Sequence, residues 1–184
     1  MKKILAIVLL AASLAVSARA AAIVGFEAGY LTDWKEAYYS ARFGYEFKAD
    51  TSLSHQLEIE VSYTEKSDSV TVDGDVVTAK GKIMPITLNY RAEFVGANKL
   101  GFYLGVGAGM AQTSVSGSGF GVSASESASS FAYQGFAGIT YKASDTTSLH
   151  LGVKYIKIED IKIMGVTASV GDDFGISAGI SVKF

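Results

Sequence analysis

The sequence contains no cysteine, one proline and only two histidines among its 184 residues. Without cysteine there are no disulfide bonds and no thiolate metal sites, and two histidines are too few for a three-histidine zinc site. Acidic residues (18) outnumber Lys and Arg (16), so the chain lacks the basic excess of a nucleic-acid-binding protein. Charged residues are only 18% of the total, beside 20 glycines. This composition is unusual for a water-soluble domain.

Residues 1–20 have the organisation of a secretory signal peptide. Lys2 and Lys3 precede an apolar run over residues 4–12, and Ala18 and Ala20 place small residues at the two positions that a signal peptidase reads. An N-terminal transmembrane anchor is the alternative, but the run is short for a hydrocarbon core of ~30 Å. We therefore expect cleavage after Ala20, with Ala21 and Ala22 as the alternative positions, and a single domain over residues 21–184.

The last eleven residues alternate strictly between apolar and small or polar side chains. Because successive side chains of a strand point to opposite faces, this period of two predicts a β-strand with one apolar and one polar face. The apolar members are Phe174, Ile176, Ala178, Ile180, Val182 and Phe184.

The same alternation recurs in seven earlier segments, of about ten residues each, which is the length of a tilted strand that crosses a bilayer. They cover residues 24–30, 39–48, 57–64, 84–94, 102–111, 131–142 and 149–155. The connections alternate between short turns, near residues 49–53, 96–99 and 143–147, and longer loops, near residues 31–37, 67–79, 112–130 and 159–171. This asymmetry is typical of an outer-membrane barrel.

Three of the longer connections carry further expectations. Residues 70–77 read as a hairpin with a tight turn at Asp73-Gly74, and residues 161–170 are expected to form a similar projection. Residues 112–130 are low in complexity and rich in serine, which predicts a mobile or weakly paired loop.

The distribution of charge indicates which face contacts lipid. The apolar faces carry no charge in mid-strand, and their ends carry aromatic residues, as expected for the two interfaces of a bilayer. The polar faces are rich in glycine and carry Glu27, Arg42, Glu46, Glu58, Glu60, Arg91 and Glu93. A soluble β-sandwich or a lipocalin-like barrel would place the apolar set inside. We therefore predict an all-β fold, an eight-stranded antiparallel up-and-down transmembrane barrel with a polar interior.

The exported start, the eight alternating segments and the terminal Phe184 resemble the small outer-membrane barrels of the OmpX, OmpA-barrel and opacity-type group. The resemblance implies the outer membrane of a Gram-negative-type bacterium, with the lipid bilayer and lipopolysaccharide as surroundings. It also implies that the barrel-assembly machinery recognises the last strand. The matching residues are Ile176, Ile180, Val182 and Phe184.

The interior of an eight-stranded barrel is just wide enough for side chains to fill. Six acidic residues are expected to face six basic ones there: Glu27, Glu46, Glu58, Glu60, Glu93 and Asp173 against Arg42, Lys48, Arg91, Lys142, Lys154 and Lys183. Hairpin arithmetic places Arg42 between Glu27 and Glu60, and Arg91 near Glu58. We interpret this set as an ion-paired plug that is structural, with a gated channel as the alternative.

No catalytic site is predicted. His55 and His150 both begin strands beside short turns, and neither has a serine two residues on, so nucleophile, base and substrate do not come together. No metal or cofactor site is expected. Two functions remain: a surface-exposed structural or adhesive barrel whose loops bind an extracellular protein, and a minor porin or OmpW-like channel for small solutes or apolar molecules.

Overall fold

The computed structural model describes residues 20–48, 52–72, 75–96, 98–119, 122–163 and 166–184. Most of the predicted signal peptide, residues 1–19, lies outside this part, and Ala20 is the first residue of the first strand. The strands are β1 (Ala20–Leu31), β2 (Glu36–Lys48), β3 (Leu53–Val72), β4 (Asp75–Val95), β5 (Leu100–Gly119), β6 (Val122–Lys142), β7 (Thr147–Ile158), β8 (Ile161–Ile163), β9 (Val166–Ala168) and β10 (Gly171–Lys183).

Eight of these strands close into one barrel. Each pairs antiparallel with its neighbours in the barrel, and β1 closes the circle by pairing with β10, where Ala28 lies opposite Ala178. The short strands β8 and β9 form a separate hairpin between β7 and β10. The predicted closed, antiparallel, all-β architecture is confirmed. In the described part of the chain, no helix is long and apolar enough to cross a membrane.

The polarity of the barrel is inverted relative to a soluble protein. Phe43 and Val153 are more than half exposed on the outer surface, whereas Arg91 and Glu58 retain 1% of their accessible area inside. Closure of the barrel removes the sheet edges that lipid could not satisfy. The predicted arrangement, with apolar side chains outward and charges inward, is confirmed.

Aromatic side chains ring both ends of the outer surface. At the end that carries both termini of the barrel, which we call the terminal end, Phe94 stacks on Phe102 with 4.7 Å between ring centroids. At the opposite end, which we call the hairpin end, the ring centroid of Tyr155 lies 5.0 Å from that of Phe174. Aromatic rings at both ends match the two interfaces of a bilayer.

The prediction for residues 112–130 is wrong. Their described part continues β5 and β6 in an antiparallel ladder as far as the pair Gly119 and Val122. The composition is simple because serine alternates with small or aliphatic residues along much of both strands. That is still a period of two, although it lacks the large side chains that mark a strand elsewhere. The connection between β1 and β2 is also shorter than predicted, a turn over residues 32–35.

Strands β3 to β6 extend beyond the barrel wall at the hairpin end. The ladder between β2 and β3 ends at Tyr38 opposite Thr64, and the ladder between β6 and β7 ends at Ala132 opposite Ile158. Beyond these rows a four-stranded sheet continues, built from residues 65–72, 75–82, 114–119 and 122–131, which we call the projecting sheet. The hairpin predicted at residues 70–77 is present, with Val70 opposite Val77; its two turn residues, 73–74, lie outside the described part.

Candidate functional site

The centre of the lumen is organised by one cation that two carboxylates share. Lys154 projects inward from β7, and its Nζ lies 3.0 Å from Glu27 Oε1 on β1 and 2.5 Å from Glu60 Oε1 on β3. The Tyr38 hydroxyl donates a hydrogen bond of 2.9 Å to the same Glu27 oxygen. All four side chains are buried. This cluster ties together strands that are not neighbours in the barrel.

A second cation lies beside it. Arg42 Nη1 is 3.5 Å from Glu58 Oε2, and Arg42 Nη2 is 2.5 Å from His150 Nε2. Because a guanidinium can only donate hydrogen bonds, His150 Nε2 is the acceptor in this contact, and His150 Nδ1 has no hydrogen-bond partner within the described residues. His150 is therefore a hydrogen-bonded filler of the lumen.

A third cation is held mainly by an aromatic ring. The guanidinium carbon of Arg91 lies 3.7 Å from the centroid of the Tyr103 ring, within the range of a cation–π interaction. Its ion pair with Glu93 is long, at 3.9 Å. Arg91 Nε and Nη2 have no hydrogen-bond partner within the described residues. Arg91 is therefore less well satisfied than Arg42 or Lys154.

Amide side chains complete the wall around Glu60. Asn89 Nδ2 donates to Glu60 Oε2 at 2.9 Å, and Gln134 Nε2 donates to the same oxygen at 3.2 Å and to Asn89 Oδ1 at 2.9 Å. Both oxygens of the Glu60 carboxylate are thus hydrogen-bonded. A buried carboxylate needs such partners, since an uncompensated one is strongly destabilising.

The lumen changes character toward its two ends. Toward the terminal end it stays polar, with Lys183 Nζ 3.0 Å from Glu46 Oε1 and Gln56 Nε2 3.4 Å from Glu93 Oε2. Toward the hairpin end it becomes apolar. There a cluster, which we call the apolar cap, joins Leu31, Tyr38, Ala111, Ala132, Ile156 and Ile158, with Trp34, Ile83 and Val170 packed against it.

Asp173 anchors the turn beside the apolar cap. Its carboxylate accepts hydrogen bonds from the backbone amides of Asp33, at 2.9 Å, and Trp34, at 2.8 Å, and from the Thr32 hydroxyl at 3.4 Å. Asp173 is completely buried. Asp173 is predicted to be one of the charges that balance the lumen cations, but its described hydrogen bonds go to the turn between β1 and β2.

Inward glycines make room for the large lumen side chains. A Cβ on Gly138 or Gly152 would overlap the Tyr103 hydroxyl, and one on Gly29 would overlap the Tyr38 ring. None of these three glycines has a positive φ, so glycine is required there for space and not for backbone conformation.

All seven residues of the predicted ion-pair network are buried in the lumen, but their partners differ from those expected. Arg42 lies opposite Glu60 in the register, yet its ion pair is with Glu58, while Glu60 pairs with Lys154. Arg91, expected near Glu58, has its ion pair with Glu93. Register alone does not decide these pairings, because long side chains reach diagonally across the lumen.

Lys154 is the functional residue that the candidate network omits. Lys154 is predicted to be an inward charge because of its place in the alternation of β7, after His150 and Gly152. That pattern does not reveal that β7 brings this side chain level with Glu27 and Glu60. Within the described residues, no group of three or more His, Asp or Glu side chains is arranged to hold a metal ion.

The residues of the predicted assembly signal belong to the apolar face of the last strand. Ile176 is 59% exposed and Phe184 77% exposed, while Ile180 lies opposite Phe26, and Val182 opposite Val24, in the ladder that closes the barrel. The last strand therefore presents an apolar stripe outward and its backbone to β1.

Comparison with known proteins identifies the family. The family model described as the outer membrane protein β-barrel domain matches residues 4–174. The chain belongs to this family. It is therefore an outer-membrane β-barrel protein, and its apolar outer surface is the surface that contacts the bilayer. No curated protein matches the chain in sequence.

Several solved structures share the fold of this barrel. Ail, the attachment invasion locus protein of Yersinia pestis, is 14% identical over 90% of this chain and 97% of its own, with a TM-score of 0.51. Ail bound to the heparin analogue sucrose octasulfate aligns with a TM-score of 0.55, at 16% identity over 90% of this chain and 97% of its own. A major outer membrane protein of Thermus thermophilus has a TM-score of 0.55, at 10% identity over 90% of this chain and 99% of its own.

Proposed function

We propose that this outer-membrane barrel is a surface-interaction protein of the adhesin type, in which the projecting sheet binds an extracellular protein and the lumen is a structural plug. The projecting sheet is the observation that carries the proposal. Strands β3 to β6 have 20 or 21 residues each, and a tilted strand needs about ten to cross the bilayer. The parts of these strands that form the projecting sheet, 6 to 10 residues each, therefore stand in water beyond the membrane.

The lumen supports this reading because it has two barriers in series. The ion-paired centre fills the cross-section with buried side chains, among them Arg91, Asn89 and Glu60. The apolar cap then closes the hairpin end around Ile158 and Tyr38. An ion would have to displace paired charges and afterwards leave its hydration shell at the cap. Neither step is favourable.

Planar-bilayer recordings test the plug. We expect the purified protein to show no defined conductance, and Arg42→Ala to be destabilised without opening a steady channel, because Glu58 loses its cation while the apolar cap remains. Steady conductance of the unmodified protein would contradict the proposal.

Deletion of residues 70–77 tests the role of the projecting sheet. We expect the deletion to abolish binding to host or matrix proteins, measured on immobilised ligands. The heat-dependent shift in electrophoretic mobility that marks a closed barrel should remain. Removal of the other hairpin, residues 161–168, is the matched control, and it should leave binding intact. If both deletions reduce binding equally, the projecting sheet is not the specific binding surface.

A channel for small solutes is the second candidate, and one observation favours it. Arg42 Nε and Arg91 Nε and Nη2 are buried donors without a hydrogen-bond partner in the described residues, so the lumen charges have alternative pairings available. If Arg42→Ala keeps its stability and conducts steadily, Arg42 is a gate, and the channel replaces the plug as the function.

The same proposal covers the path of the chain to the membrane. We infer that the protein is exported through a signal peptide cleaved after Ala20 and that the barrel-assembly machinery inserts it by recognising the apolar stripe of β10. We also infer that lipopolysaccharide surrounds the barrel in the outer leaflet. We propose no enzymatic activity. Mass spectrometry of the protein from outer membranes tests the first point, since cleavage after Ala20 leaves Ala21 as the N-terminus. A chain that retains Lys2 and Lys3 would contradict it.

A further inference from the structure

The projecting sheet has two free edges. On one side, β3 has no ladder with β2 beyond Thr64. On the other side, β6 has no ladder partner other than β5 before Ala132, where its ladder with β7 begins. Within the described residues no other strand pairs with either edge. Each edge offers a row of backbone N–H and C=O groups to water or to another strand.

The two edges differ in their protection against pairing. Natural proteins block exposed edges with charges, proline or bulges. The β3 edge carries three charges within four residues, at Glu65, Lys66 and Asp68, but residues 122–130 of the β6 edge carry only Glu126 and contain no proline. The β6 edge therefore lacks the charges that keep edges apart, and the β3 edge has them.

The side chains of the β6 edge are also small enough for a second strand to approach. Ser125, Ser127 and Ser129 alternate with alanine and with Glu126, and residues 124–127 are exposed. Strand β8 lies close to β6, and the exposed residues 124–127 have no ladder partner other than β5. Side chains of this size let the backbone of a second extended strand come within hydrogen-bonding distance of the edge.

We propose that the β6 edge of one molecule pairs antiparallel with the β6 edge of a second copy in an opposing membrane. The inference rests on the proposed surface role and assigns it a partner of the same sequence. A register centred on Ser125 places Ser125 opposite its own counterpart and Glu126 opposite Ala124 of the second copy, so that the two carboxylates do not face each other.

Strand direction decides that the second copy lies in another membrane. Antiparallel pairing of one edge with itself is isologous, with a two-fold axis perpendicular to the sheet. That rotation reverses the direction of the strand, so the two barrels lie at opposite ends of a continuous eight-stranded sheet. Two copies in the same membrane would present their β6 strands running the same way, toward the terminal end, and could not form this ladder.

A competing arrangement joins the β6 edge of one copy to the β3 edge of the next. Those strands run in opposite directions within one membrane, so the pairing is geometrically allowed. It is heterologous and would propagate as an open chain. It would also bring the charged β3 edge, where Glu65 pairs with Lys82 of β4, against an edge whose residues 122–130 carry only Glu126, so charge complementarity does not favour it.

Single-cysteine variants distinguish the two arrangements, since the chain has no native cysteine. Ser67, Lys80, Ser116 and Ser125 form one row across the projecting sheet. Ser125→Cys therefore marks the β6 edge, Ser67→Cys marks the β3 edge at the same level, and Ser116→Cys marks an interior strand. In an antiparallel ladder, opposite Cα atoms are about 4.5–5.5 Å apart, within the span of a disulfide.

The protein is reconstituted into phospholipid vesicles, with no other protein present, and oxidised. We expect the vesicles to cluster and Ser125→Cys to give a disulfide dimer at least tenfold more abundant than that of Ser67→Cys or Ser116→Cys. Ser125→Asp should reduce clustering at least tenfold, because the two carboxylates meet on the axis, whereas Ser67→Asp should leave clustering unchanged.

Three outcomes would overturn the inference. Vesicles that do not cluster exclude pairing between membranes. If a disulfide forms only when the Ser67→Cys and Ser125→Cys variants are mixed in one membrane, the β6 edge pairs with the β3 edge of a neighbouring copy in the same membrane. If Ser125→Asp and Ser67→Asp change vesicle clustering equally, the β6 edge is not the surface that pairs. Binding of host or matrix proteins is measured separately, so that failure here is distinguishable from failure of the proposed surface role.

Discussion

Lys154 is the residue that makes the most ion pairs among the described lumen side chains. It neutralises Glu27 and Glu60 at once, and those carboxylates belong to strands that are not neighbours in the barrel. Removal of one partner from a buried ion pair is strongly destabilising, since it leaves a charge without compensation. Lys154 is therefore the residue on which the ionic centre depends most.

We predict that Lys154→Met lowers the free energy of unfolding by about 3–5 kcal/mol, measured by urea titration of the refolded barrel in lipid vesicles. The matched control is Lys157→Met, three residues further along β7, on the opposite face of the strand and without a described ion pair. The control should stay within about 0.5 kcal/mol of the unmodified protein. Equal losses in both variants would contradict the role of Lys154.

Asp173 has a local role that a charge count does not reveal. Its side chain replaces a backbone acceptor for two amides of the turn between β1 and β2. We predict that Asp173→Ala lowers the free energy of unfolding by about 2–3 kcal/mol, because the two amides lose a charged acceptor. Amide hydrogen exchange at Asp33 and Trp34 should become at least tenfold faster.

The control for this change is Asp172→Ala. Asp172 accepts a hydrogen bond from the Tyr155 hydroxyl and makes no described contact with the turn. Its loss should leave exchange at Asp33 and Trp34 unchanged. If exchange stays slow in Asp173→Ala as well, the carboxylate does not hold the turn.

At the scale of the strand, the alternation of two kinds of side chain along the sequence predicts where strands lie, and the size of those side chains does not. The serines and glycines of residues 112–130 suggest low complexity and so predict a loop. These residues instead continue β5 and β6, since a strand that stands in water on both faces needs no large apolar side chains. Closure follows from the number of alternating segments, but the length of the strands beyond the membrane cannot be read from any hydrophobic pattern.

The pairing of inward glycines with large side chains also belongs to the scale of the strand. Gly152 on β7 leaves the space that the Tyr103 hydroxyl from β5 occupies. We predict that Gly152→Ala destabilises the barrel by about 1–3 kcal/mol through overpacking. Gly152→Ala combined with Tyr103→Phe should recover part of that loss, because the hydroxyl is gone.

Urea titration of the single and double variants checks this prediction. Gly135→Ala is the control, since a Cβ there meets no atom within 4 Å. A double variant that is no more stable than Gly152→Ala would show that the hydroxyl is not the obstacle.

At the scale of the whole molecule, the architecture is predictable because one physical constraint governs every strand. Lipid requires an apolar outer surface and a closed ladder, and the first of these is visible in the sequence as a period of two with charges on one side. The inward position of each charged residue of the candidate site is predictable, but the central role of Lys154 and the pairings are not. Which carboxylate each cation reaches depends on strand tilt and on side-chain length, and the alternation does not encode the resulting geometry.

The inverted polarity of the barrel is the central claim, and spin-label accessibility tests it most directly. Single cysteines at Phe43, Leu88 and Val153 on the outer surface, and at the buried serines Ser40, Ser54 and Ser62 in the lumen, are labelled in membrane-inserted protein. We predict that labels at the first three positions collide with oxygen dissolved in the lipid and are shielded from a water-soluble nickel chelate, while labels at the lumen positions are shielded from both. If labels at Phe43, Leu88 and Val153 are accessible to the nickel chelate and shielded from oxygen, the outer surface does not face lipid and the inverted polarity is wrong.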